Sequence, residues 1–170
     1  MSQILFAEHE QKHVLKFVGD IRVNVAPTMS AYLQKIGSTN ESSIVIDLKG
    51  TTCMDSTCLG MLAKIALASQ EKLGTQPTLV STNPDVTRII DSMGLDQLFL
   101  IIRDDAHTCD EAIELPTRVM NEEQLKEQVL DAHKTLMELS KHNEDCFRDL
   151  VAALESEKTA DTSSRVSGQN

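Results

Sequence analysis

At 170 residues and 41% hydrophobic content, the chain has material for one well-buried core of ordinary domain size and some length besides, which excludes two large domains. Its 26 acidic against 16 basic residues give a net charge of −10, a mean field that repels phosphate backbones and anionic headgroups, while 3% aromatics with no Trp leave no stacking platform for single strands. No stretch approaches the roughly 18 consecutive apolar residues of a membrane span, and Met1 to Glu10 lacks a basic region followed by an apolar run, so a cytoplasmic protein with a protein partner is expected, not a nucleic-acid or membrane binder.

Ile4-Leu5-Phe6-Ala7 and the alternating Val14-Leu15-Lys16-Phe17-Val18 read as two strands of a hairpin, the second closed by Gly19-Asp20. After Pro27, Met29, Leu33 and Ile36 recur at helical spacing up to Gly37. Ser43-Ile44-Val45-Ile46-Asp47-Leu48 is a continuous β-branched run, the pattern of a central strand buried on both faces. Beyond it, Asp55-Ser56 precedes Leu59, Leu62, Ala63, Ala66 and Leu67, an apolar stripe that runs to Leu73 and stops at Gly74. Thr78-Leu79-Val80 predicts a further strand, Asn83-Pro84-Asp85 opens a helix that Gly94 ends, and Leu98 to Ile102 gives one more strand. Residues 104–114 predict an additional helix before Pro116.

From Met120 onward there is no Gly or Pro until Gly168, and Leu125, Val129, Leu136, Leu139, Phe147, Leu150 and Leu154 form one stripe. This predicts a single long amphipathic helix, opened by an Asn121/Gln124 capping box and followed by a disordered polar tail. Strands alternating with helices make the chain an α/β protein, divided into a domain over 1–115, a helical extension over 116–157 and a tail over 158–170. A chain cut after Pro116 is expected to remain a soluble domain.

Gly50 to Gly60 joins the central strand to the main helix. Asp55 or Ser56 there suits a helix cap. The same position also suits a phosphoacceptor: a hydroxyl at a helix N-terminus faces open N–H groups and the positive end of the macrodipole, so a phosphate is tolerated by the fold yet adds about −1.5 to −2 charge to the surface.

The strand Ile44-Val45-Ile46-Asp47-Leu48, the motif Met54-Asp55-Ser56, the following Leu59-Gly60-Met61-Leu62 and the downstream strand with its Asn83-Pro84 helix resemble the STAS family, in particular the single-domain bacterial anti-anti-sigma factors. The resemblance covers about Ile4 to Leu115. It implies a STAS-type fold, a mixed central sheet with helices packed mainly on one face, here carrying the long C-terminal helix as an addition. It further implies an anti-sigma factor antagonist that works by partner switching. The unphosphorylated form binds an anti-sigma factor with serine kinase activity or an equivalent regulator, phosphorylation of Ser56 blocks binding, and a PP2C-type phosphatase reverses it. Asp55, Ser56, Thr57, Cys58 and Leu59 would then form the partner-binding segment, with Thr57 a secondary acceptor. Many relatives carry Ser-Gly after the acceptor where this chain has Thr57-Cys58, a bulkier helix start. The competing reading is a STAS subunit of a transport or stress-sensing assembly whose contacts ignore phosphorylation.

The C-terminal helix is read as packing on its own domain or making a homodimer; otherwise Phe147, Leu150, Val151 and Leu154 form a docking face. Cys53, Cys58, Cys109 and Cys146 are read as thiols, and neither they nor His9, His13, His107, His133 and His142 show metal-ligand spacing. No Gly-rich phosphate loop or G-x-S-x-G elbow is present, so Ser56 has no recognisable activating base and no cofactor or catalysis is expected.

Overall fold

A computed structural model describes residues 2–104 and 111–166. Strand β1 (Ser2–His9) turns through Glu10 and Gln11, both left-handed at φ 51° and 65°, into β2 (Lys12–Ile21). Two consecutive residues of positive φ match the strand twist of a tight hairpin. β2 does not close at Gly19-Asp20 as its sequence suggests. The pairing register shifts there, with Gly19 at φ 93°, and the strand continues to Ile21. That extra length gives β2 two parallel neighbours, β3 (Ser43–Asp47) along its first half and β4 (Thr51–Met54) along its second. β4 is thus a strand in a segment that reads only as a connection. It is tied in place by Thr51, whose hydroxyl donates to the Phe17 carbonyl at 2.9 Å.

β5 (Thr78–Val80) and β6 (Leu100–Ile102) extend the sheet in parallel beyond β3, and β7 (Ile113–Glu114) pairs antiparallel outside β1. The strand order is β6-β5-β3-β2-β1-β7, with β4 on β2. The helix expected over 104–114 falls mostly on 105–110, outside the described residues, and its far end is strand β7.

Helices α1 (Ala26–Lys35), α2 (Ser56–Leu73) and α3 (Pro84–Ser92) follow the sequence closely, because each carries its own start or stop. Asn83 accepts from the Asp85 N–H at 3.0 Å, and α2 ends on left-handed Gly74. The covered face of the sheet holds Leu15, Phe17, Ile44, Ile46 and Leu79, all buried, whereas Val14, Lys16, Val18 and Val45 on the alternate face are half-buried. β3 therefore obeys period two after all, and its continuous apolar run does not signal equal burial on both faces.

The C-terminal stretch is two helices, not one. α4 (Glu122–Leu139) opens with the expected Asn121/Gln124 capping box, and α5 (Lys141–Val166) begins after a single extended residue, Ser140, at φ −161° and ψ 159°. The Ser140 hydroxyl accepts the Asn143 N–H at 3.1 Å and so caps α5. The chain reverses there: Lys134 pairs with Glu155 at 2.7 Å and Lys158 approaches Glu127 at 3.4 Å, which makes α4 and α5 an antiparallel hairpin. Helix α5 continues to Val166, so the residues from Lys158 are helical where a disordered tail is expected.

The hairpin packs on its own chain. Ala132 and Leu136 are fully buried members of the core cluster, and Leu139 and Phe147 pack against it. Asn143, fully buried, donates through Nδ2 to the carbonyls of Met93 after α3 and Leu136 in α4, both at 2.8 Å. Stranding those carbonyls should cost about 1–3 kcal/mol, so Asn143→Ala is expected to lower stability by that amount in urea unfolding. A change within experimental error would show that the apolar contacts alone set the hairpin's position. Among the described residues no helix is long and apolar enough to cross a membrane.

Candidate functional site

β2 and β4 run parallel, and Asp55 and Ser56 stand just beyond the carboxyl end of β4, where open α/β sheets usually place their sites. Asp55 is the N-cap of α2. One carboxylate oxygen accepts the Cys58 N–H at 2.9 Å and the other the Val23 N–H at 2.8 Å, so a single side chain fixes both the helix start and the turn after β2. The capping reading of Asp55 holds, and the second bond ties it to a residue far away in sequence.

Ser56 is the first residue of α2 and is half-buried. Its Oγ lies 2.8 Å from Nε2 of His133 on α4, and the other ring nitrogen, Nδ1, lies 2.7 Å from the Val129 carbonyl. A carbonyl only accepts, so Nδ1 carries the proton; in the neutral ring Nε2 is then the acceptor and the serine hydroxyl donates to it. The imidazole is 2% exposed and is backed edge-on by Phe147 of α5, with ring centroids 5.1 Å apart. One line of contacts therefore runs from α5 through α4 to the hydroxyl of Ser56. The hydrogen-bond partner of Ser56 that sequence motifs do not reveal lies 77 residues downstream.

The helices meet closely beside this contact. A Cβ built on Gly60 would lie 2.3 Å from the Ala132 carbonyl oxygen, which is backbone and has no side-chain freedom to move away. Lys64, one turn further along α2, is ion-paired with Asp131. Three consecutive α4 residues, Asp131, Ala132 and His133, thus meet Lys64, Gly60 and Ser56.

This packing separates the expected partner-binding residues. Asp55 and Ser56 keep some exposure, whereas Thr57, Cys58 and Leu59 are buried. Thr57 is 6% exposed, which removes it as an accessible second acceptor in this conformation. Burial, reinforced by the neighbouring Asp55 carboxylate, pushes the Cys58 thiol well above the ordinary thiol range, so it stays protonated. The exposed neighbours of Ser56 in sequence are Thr52 and Cys53 on β4. Of the four residues read as a docking or dimer face, Val151 is buried, Phe147 and Leu154 are half-buried, and only Leu150 stands exposed. His107 and Cys109 lie outside the described residues, and among those described no group of three metal-ligating side chains occurs.

The protein-family comparison matches the STAS domain over residues 3–109. The chain belongs to the STAS domain family. The matched span holds the sheet through β6, helices α1 to α3 and the Asp55-Ser56 site, and the α4–α5 hairpin lies outside it. Among solved structures, one described as the anti-sigma factor antagonist SpoIIAA in its unphosphorylated form is similar, at 16% identity and a TM-score of 0.43, covering 54% of this chain and 82% of its own. The search of curated proteins returns no match.

His133 is the residue that sequence reasoning set aside. Its signal lay in the helical stripe and not in any motif: it falls four residues after Val129 and three before Leu136, on the apolar face of α4. A histidine in that position needs a polar partner across the helix interface, and Ser56 supplies one.

Proposed function

We propose that the chain is an anti-sigma factor antagonist whose binding is controlled by phosphorylation of Ser56. The observation that carries this reading is the placement of Ser56: a half-buried residue at the N-terminus of α2, beyond a parallel strand end in a STAS domain. A phosphate at such a helix start is met by the dipole and does not threaten α2 itself, but it adds about −1.5 to −2 charge beside the Asp55 carboxylate and enlarges the surface a partner must fit. The unphosphorylated form binds an anti-sigma factor with serine kinase activity, or an equivalent regulator, in the cytoplasm; a PP2C-type phosphatase restores that form. Asp55 and Ser56 contact the partner directly. Thr57, Cys58 and Leu59 act by shaping the helix start from beneath.

The test is an affinity capture from the source cells with Ser56→Ala and Ser56→Asp baits, identified by mass spectrometry. The Ala bait is expected to retain a kinase-type regulator at least about tenfold better than the Asp bait, the size of effect one like charge at a docking rim produces. Equal capture of one stoichiometric complex by both baits overturns the switch and favours a phosphorylation-independent subunit of a transport or stress-sensing assembly.

A further inference from the structure

We propose that the α4–α5 hairpin is a lid latched on Ser56 through His133, and that a phosphate at Ser56 lifts it. This rests on Ser56 being the phosphoacceptor and adds what the modification does to the rest of the molecule. Ser56 Oγ and His133 Nε2 are 2.8 Å apart, which leaves no room between them for a phosphorus and its three oxygens. Nor is there slack in the helix interface to provide it, because Gly60 already approaches the Ala132 carbonyl so closely that a methyl group would not fit. Turning the phosphate out to solvent does not preserve the latch either. It leaves His133 Nε2 buried without the hydroxyl that satisfies it in the closed form.

The lid supplies a small share of the buried core cluster. Among the described residues of the core cluster, only Ala132 and Leu136 come from the hairpin, and the rest belong to the STAS domain and the elements within residues 2–104. Leu139 and Phe147 add apolar contact at its edge, and its polar ties to the domain include the Ser56–His133 bond, the Lys64–Asp131 ion pair and the Asn143–Met93 bond. In the closed form Ser56, beside Asp55 on the rim, is joined to α4 through His133, and this is the form that binds the partner. Phosphorylation breaks that junction, so one modification both charges the rim and moves α4 away from it.

Phosphoserine installed at position 56 of the full chain by amber suppression, followed by amide hydrogen exchange, tests the lid without knowledge of the kinase. Amides of α4 and α5 are expected to lose at least tenfold in protection, while β1 to β5 stay protected. Gly60→Ala opens the lid by a separate route: it improves the helix propensity of α2 but sets a methyl against the Ala132 carbonyl, so the same pattern of lost protection is expected with Ser56 unmodified. Wild-type protection of the hairpin in the phosphoserine protein overturns the proposal, since the phosphate is then held with the lid down. Loss of protection through the sheet together with the hairpin in both proteins also overturns it, because hairpin and domain are then one cooperative unit. Neither result bears on whether Ser56 controls partner capture, which the Ala and Asp baits decide.

Discussion

Removing residues 117–170 is expected to leave a STAS domain that folds, but with stability lowered by several kcal/mol and a tendency to self-associate. The domain keeps nearly all of its own core: Leu15, Phe17, Ile44, Ile46 and Leu79 on the sheet meet α1 and α2 without help from the hairpin. What it loses is the cover over the outer side of α2. Leu136 is fully buried there, and deleting a buried leucine side chain alone costs about 2–5 kcal/mol. Around Gly60, the surface that α4 shields is laid open between Ser56 and Lys64. Circular dichroism in urea should show a cooperative transition at a lower midpoint, and sedimentation should show concentration-dependent association stronger than that of the full chain. A truncated protein with no cooperative transition would make the hairpin an essential part of the fold and would equally exclude a lid.

The parts of the structure that sequence made visible are those specified locally. Helix α2 carries its cap at Asp55, its apolar stripe and its stop at Gly74 within one window, and α3 and the start of α4 are similarly self-contained. Strand β4 is not, because its existence depends on β2 running past a bulge at Gly19 to offer a second partner edge. The break at Ser140 escaped notice because neither Gly nor Pro marks it. One serine in extended conformation suffices, since its hydroxyl caps the next helix and the apolar faces on either side gain more by folding together than by continuing straight. The site divides in the same way. Asp55 and Ser56 were legible as a helix start, but the contact Ser56 makes is with a histidine on α4, outside the residues the family model matches, and no spacing rule links them. Gly60 was a second, unused signal. A glycine in the interior of a strong helix costs about 1 kcal/mol relative to alanine, which points to a close backbone approach, and α4 is what approaches.

Asp55→Ala is expected to destabilise the protein by about 2–4 kcal/mol, more than loss of an ordinary helix cap, which is typically about 1 kcal/mol. The excess comes from the second bond: without the carboxylate, the Val23 N–H after β2 loses its acceptor along with the Cys58 N–H at the start of α2. Asp55→Asn separates the two contributions. Its amide oxygen can still accept one N–H, whereas its NH2 group cannot accept the other, so about half the loss should remain. Urea midpoints at constant m-value measure both. If Asp55→Ala is as stable as wild type, the carboxylate is not holding these elements, and its place beside Ser56 would have to be explained by partner contact alone. If the loss is as expected, weakened partner capture by Asp55→Ala cannot be assigned to a missing contact. The Asn variant, which keeps the bulk at the rim but not the charge, is then the one that reports on recognition: full capture means shape is read there, and a loss of capture as large as that of Asp55→Ala, despite the smaller loss of stability, means the partner reads the charge next to Ser56.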